Sequence, residues 1–219
     1  MENKQSIKVW NIAIRIFHWI LVGCFTLAFI SSENITKLHV IFGYSVLALV
    51  IFRIFYGFVG TQYVRFSDFL YPPAEIAEYL KGLLIGRPKH YIGHNPAGGV
   101  MIIVLLLCLL FLTLTGLETY GVKGHGPLAV HEISFISKAF ADSDEKRESG
   151  DHKRRNRTGK DFQRTEQNEK DEFWGEVHET IAYFTLFMAA IHVGGALLSS
   201  MVHRENLINA MLTGRKPVV

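Results

Sequence analysis

The chain has 219 residues, is 49% apolar and 20% charged, and carries a net charge of +3, too little to argue for nucleic acid binding. Its charges are segregated: 19 of the 43 Asp, Glu, Lys and Arg residues fall in 141–172, and the remainder is too apolar for a water-soluble domain. Cys24 and Cys108 both lie in apolar runs without CxxC or CxxCH spacing, which excludes a disulfide framework, a thiolate zinc site, an iron–sulfur site and covalent c-type haem.

In chain order, apolar runs of membrane-crossing length predict spans at 12–30, 38–59, 97–117 and 173–202. The first is read as a span and not a cleaved signal peptide, because it is long, contains Arg15, His18 and Trp19, and ends without an A-x-A site. Between the second and third, Pro72 and Pro73 open an amphipathic stretch with Glu75, Glu78 and Lys81 on one side and Ile76, Tyr79, Leu80 and Leu83 on the other, as expected of an interfacial helix. Residues 141–172 hold ten acids, nine bases and almost no apolar side chain, so a flexible loop is expected, with a salt-bridged helical hairpin as the alternative. With the N-terminus inside, nine Lys and Arg residues flank the cytoplasmic ends and five the external ends. The expected fold is an all-α membrane protein, a four-transmembrane-helix bundle with both termini cytoplasmic. Residues 1–140 and 173–219 form the membrane domain, and 141–172 form an external loop.

Four of the ten histidines fall in the spans: His18, His39, His178 and His192. Ionisable groups at membrane depth are costly and are functional candidates. The 14 residues between His178 and His192 place them ~40° apart in azimuth and ~21 Å apart in height on one helix. In an alternating bundle His18 then matches His192 in depth, and His39 matches His178. Two facing neutral imidazoles at one level can bind a macrocyclic iron from both axial sides. Bare zinc fits less well without cysteine or carboxylate to complete its shell. Proton relay or divalent-metal binding in a transporter or channel is the competing reading. Arg15, three residues before His18, and Arg53, fourteen after His39, fall near the cytoplasmic level, where they could pair with haem propionates. Gly23, Gly43, Gly116, Gly194 and Gly195 are read first as helix-packing residues and second as room for a macrocycle.

Arg15-Ile-Phe-His18-Trp19, His39 with Gly43-Tyr44, Gly93-His94-Asn95-Pro96, Val177-His178-Glu179 and Ile191-His192 together resemble the bacterial cytochrome b561 family, which includes the b-type subunits of nickel-iron hydrogenases. The resemblance covers about Lys8 to Lys216 apart from the charged segment. It implies a di-haem protein of the bacterial inner membrane, with His18, His39, His178 and His192 as axial ligands of two haems b. Such a protein, an electron carrier or quinol-oxidising subunit, passes electrons between the quinone pool and a soluble redox partner, a c-type cytochrome or a hydrogenase-like subunit. Self-association into a homo-oligomer stays open. The segments His203-Arg204-Glu205-Asn206-Leu207 and Gly214-Arg215-Lys216 look more like free-standing cytochromes b than hydrogenase subunits. His94, just ahead of span three, is either a cap or a proton-accepting group at a quinone pocket, where a basicity near neutral pH would be useful.

Overall fold

The computed structural model describes residues 6–33, 35–91, 93–128, 152–203 and 205–217. Four helices are long and apolar enough to cross a membrane: α1 (Ile12–Ser31), α2 (Thr36–Val59), α4 (Pro96–Val122) and the part Asn168–Val202 of α5 (His152–Val202). The shorter α3 (Pro73–Leu84) lies between α2 and α4, and α6 (Leu207–Thr213) follows α5. Local chemistry marks the starts. Asn11 caps α1 by accepting from the Ile14 amide at 3.0 Å, and Asn95 caps α4 by accepting from the Gly98 amide at 2.7 Å. Pro73 and Pro96 each stand at a first helical position, where the missing N–H costs nothing.

The chain divides into two compact units, Met1–Leu110 with Phe184–Val219, and Phe111–Tyr183. In the first unit α1 and α2 run antiparallel. Asn11 donates to the Tyr56 hydroxyl at 2.7 Å at one end, and His39 bonds the Ala28 carbonyl at 2.9 Å at the other. Val46, Val50 and Leu109 are buried together against Leu21, Cys24 and Phe25. Many large side chains along the spans, such as Leu27, Ile41 and Phe55, are exposed, which water would penalise and hydrocarbon does not. Gly99 permits close packing at the start of α4, since a Cβ there would collide with the Phe69 carbonyl.

The architecture departs from the expected all-α bundle in one small respect. Strands β1 (Ser6–Lys8) and β2 (Arg215–Pro217) pair antiparallel, with Ile7 opposite Lys216, and bring the two terminal segments together at one end of the first unit. Below the ribbon, Val9 and Trp10 pack on Ala210. The C-terminal motifs build this cap. Asn206 caps α6, and Gly214 ends it in a left-handed conformation with φ +80°. Buried Glu205 receives Lys216 Nζ at 3.2 Å and His90 Nε2 at 2.6 Å.

Burial alone would raise the Glu205 carboxyl, but the His90 hydrogen bond and the Lys216 ammonium outweigh it and hold the group below its ordinary value of 4.5. Its stabilisation is therefore complete above about pH 4.5 and is lost as pH falls through the lower folded-state value. Glu205→Gln should cost about 3 kcal/mol by leaving Lys216 buried without its counter-ion. Thermal unfolding followed by circular dichroism should show a lower Tm for the variant at pH 7, and a gap to wild type that closes on acidification.

The charged segment also differs from the expected loop. From His152 onward it is the first part of α5, continuous with the fourth span. Glu, Lys, Arg and Gln are good helix formers, and a helix that already exists in the span removes the cost of nucleation. Residues 129–151, with His131, lie outside the described residues.

Candidate functional site

His18 lies in the second turn of α1, near the Asn11–Tyr56 end. Its ring stands edge-on to Trp19 at 5.2 Å, and its Nδ1 is cut off from solvent without a hydrogen-bond partner. His192, on α5, belongs to the same compact unit. His39 occupies the opposite level: bonded to Ala28, it lies ten residues, or about 15 Å, along α1 from His18.

The tautomer of His39 follows from its partner. A carbonyl can only accept, so Nδ1 carries the hydrogen and the lone pair resides on Nε2, the atom that can coordinate iron. In the second unit, the Thr115 hydroxyl lies within reach of the Phe111 and Leu112 carbonyls, both at 3.0 Å, and spends its hydrogen there. Toward His178 Nδ1, 3.1 Å away, it therefore accepts, and His178 too carries its lone pair on Nε2. The ring lies over Gly116, where a Cβ would stand 3.0 Å from His178 Cε1. That glycine is a platform for the imidazole. A Cβ on Gly23, Gly43, Gly194 or Gly195 would meet nothing within 4 Å, so close helix packing does not explain these residues. Gly43 and Gly195 follow His39 and His192 by four and three residues, on the same helix faces, and leave room beside those rings. The orphaned Nδ1 of His18 and the open glycine faces beside His39 and His192 fit a planar iron macrocycle. Among the described residues no three His, Cys, Asp or Glu side chains gather to hold a bare metal ion.

The two arginines separate. Arg53 is only 5% exposed; its Nη2 donates to the Val64 carbonyl at 3.2 Å and its guanidinium lies 5.2 Å from the Phe66 ring centre. Its Nη1 is buried without a partner. Because a guanidinium does not give up its charge, that nitrogen suits an anionic acceptor such as a carboxylate. Gly57 makes the stack possible, since a Cβ there would fall inside the Phe66 ring. Arg15 turns instead to α6, where its Nε donates to the Met211 carbonyl at 3.3 Å.

His94 lies between Trp10 and Phe69, with ring centres 4.4 and 4.9 Å away. Burial, then the charges of Arg53, Lys216 and His192, depress it to about 3, against a smaller opposing effect from its bond to the Tyr63 backbone. Its Nδ1 is buried and unpartnered, so Nε2 makes the Tyr63 bond and Nδ1 is left as an acceptor. The near-neutral basicity expected of a proton acceptor is therefore not present. Tyr63 is the non-glycine residue with positive φ, +69°, among those described, and its ring packs on Gly93, where a Cβ would stand 2.9 Å away. Trp10, Tyr63, Phe69 and Thr115 were not legible as site residues. Aromatic and hydroxyl side chains at such positions are ordinary, and only their contacts single them out.

The model of the family described as prokaryotic cytochrome b561 matches residues 9–214. A Rhizobium leguminosarum bv. viciae protein described as a probable Ni/Fe-hydrogenase B-type cytochrome subunit is 29% identical over 147 residues, 53% of this chain and 61% of that protein. The Escherichia coli (strain K12) probable Ni/Fe-hydrogenase 1 B-type cytochrome subunit is 26% identical over 149 residues, 54% of this chain and 62% of that protein. The match thus spans about three fifths of the length of these relatives. No solved structure matches the chain.

Proposed function

The chain belongs to the prokaryotic cytochrome b561 family and is by that membership a membrane b-type cytochrome, and from that premise we propose that it holds two haems b and carries electrons between quinone and a redox protein. The observation that carries this reading is the buried, unpartnered Nδ1 of His18, a membrane-span imidazole in the same compact unit as His192. The Nδ1–H tautomers leave Nε2 of His39 and Nε2 of His178 each able to coordinate iron, which supports a second haem. When bound, haem supplies reversible one-electron chemistry at iron. The chain's own residues orient the imidazoles, exclude water and present the Arg53 guanidinium to a propionate. The pairing of Ser6–Lys8 with Arg215–Pro217 and the excess of Lys and Arg at the span ends on that side support both termini being at the cytoplasmic face of a bacterial inner membrane. Reduced-minus-oxidised spectra of the purified protein test the reading. A b-type spectrum of bis-histidine character is expected, and a colourless protein from haem-sufficient cells overturns it.

The partner is a hydrogenase-like subunit or a c-type cytochrome; the relatives' names support the first. We assign its docking to the charged extension of α5, which runs from His152 to Asn168, about 24 Å ahead of the candidate span. The sequence there carries charges of both signs, and such charges steer encounter and are screened by salt. Deleting 143–168 should leave the haem spectra unchanged, slow electron exchange about tenfold at low ionic strength, and abolish its salt dependence. Stopped-flow reduction with the partner measures this, and an unaltered rate and salt response would remove the docking role.

A further inference from the structure

An open groove of about 370 Å³ runs along the outside of α1, lined by Ile12, Ile16 and Trp19 and closed on one side by Met211 and Leu212 of α6. Its walls are apolar except for Arg15. Ile12, Ile16, Trp19 and Leu212 are 64%, 53%, 42% and 54% exposed, and α1 is a candidate membrane span, so what bathes this groove is lipid. The one cation in it is held in place, because Arg15 Nε donates to the Met211 carbonyl and the guanidinium packs by Gly214, where a Cβ would stand 3.1 Å from Nη1. No carboxylate among the described residues forms an ion pair with Arg15. An arginine at a membrane edge without an acidic neighbour is complementary to an anion, and the apolar channel beside it is complementary to a hydrocarbon chain.

We propose that this groove is a binding site for an anionic phospholipid, with the phosphate on the Arg15 guanidinium and an acyl chain laid along Ile12, Ile16 and Trp19. The lipid would fasten α6 to α1 from outside, adding an anionic bridge to the Arg15–Met211 bond. None of the four span histidines lines the groove, although Trp19 in its wall stands edge-on to the His18 ring.

Native mass spectrometry of the full-length haem-loaded protein, released from nanodiscs of equal phosphatidylglycerol and phosphatidylcholine, tests it. Wild type should retain one phosphatidylglycerol in about fivefold preference to phosphatidylcholine, the ratio expected of one well-placed cation at an anionic leaflet. Arg15→Gln should bring the two lipids to parity, and Arg15→Lys should keep part of the preference. Leu212→Trp, which fills the groove and keeps the charge, should reduce retention of both lipids and carries the test if Arg15→Gln cannot be recovered. Equal retention of the two lipids by wild type, or a preference that survives Arg15→Gln or Leu212→Trp, overturns the proposal. Loss of one haem from Arg15→Gln with lipid preference intact would assign Arg15 to a propionate instead.

Discussion

Replacing His18 with glycine should lower the haem content from two per chain to one, and replacing His192 should remove the same haem. His39→Gly and His178→Gly should each remove the other. The grouping follows from level. His18 is seven residues from Asn11, which bonds Tyr56, whereas His39 bonds Ala28 about 15 Å further along α1. One macrocycle cannot take both as ligands to one iron. His18 and His192 belong to one compact unit. Pyridine haemochrome content per polypeptide gives the stoichiometry, and redox spectra identify which haem is missing. Imidazole added to His18→Gly should restore the lost component, which separates a missing ligand from a damaged fold. A wild-type content of one, or losses that group His18 with His39, would defeat the pairing.

Arg53→Gln should lower the midpoint potential of one haem by about 70 mV. A buried cation favours the reduced iron, which carries one positive charge fewer, so its removal favours the oxidised form. At a separation of about 10 Å and an effective dielectric of about 20 the interaction is worth ~1.7 kcal/mol, or about 70 mV for one electron. Arg53 stands one turn from Tyr56, at the Asn11 end of the α1–α2 pair, so the affected haem should be the one held by His18 and His192. The haem at the Ala28 level lies further off and should shift much less. Arg53→Lys keeps the charge but not the planar fork that reaches Val64, and should recover most of the potential. Spectroelectrochemical titration at pH 7 resolves the two components. Unchanged potentials, or equal shifts in both, would remove Arg53 from the site.

Much of the helical frame is legible in the sequence because membrane spans are written in length and apolarity. Ile12 to Ile30, charge-free apart from Arg15 and His18, is recognisable without any neighbour, and Pro96 marks the start of α4 where its ring is tolerated. The charged part of α5 is not legible as helix by the same test, since its helicity comes from intrinsic propensity and from the span it feeds. The resemblance to b561 cytochromes rests on histidines whose identity and spacing survive without structural knowledge, and the family match over 9–214 agrees with it.

The sequence by itself determined the four spans and the depth of each histidine along its helix. These follow from one helix taken alone, through a fixed rise and rotation per residue. The tertiary structure decided what each group touches. It sent Arg15 to Met211 and buried Arg53 under Phe66, although both arginines read alike as cations near span ends. It put Thr115 behind His178 and set the tautomer, placed Gly116 under the ring, and depressed His94 by enclosing it with Trp10, Phe69 and the charge of Arg53. It also joined Glu205 to His90, 115 residues away, and Ile7 to Lys216. Periodicity carries height and azimuth within a helix, whereas partner identity, burial and protonation depend on which distant residues the packing brings within a few ångströms.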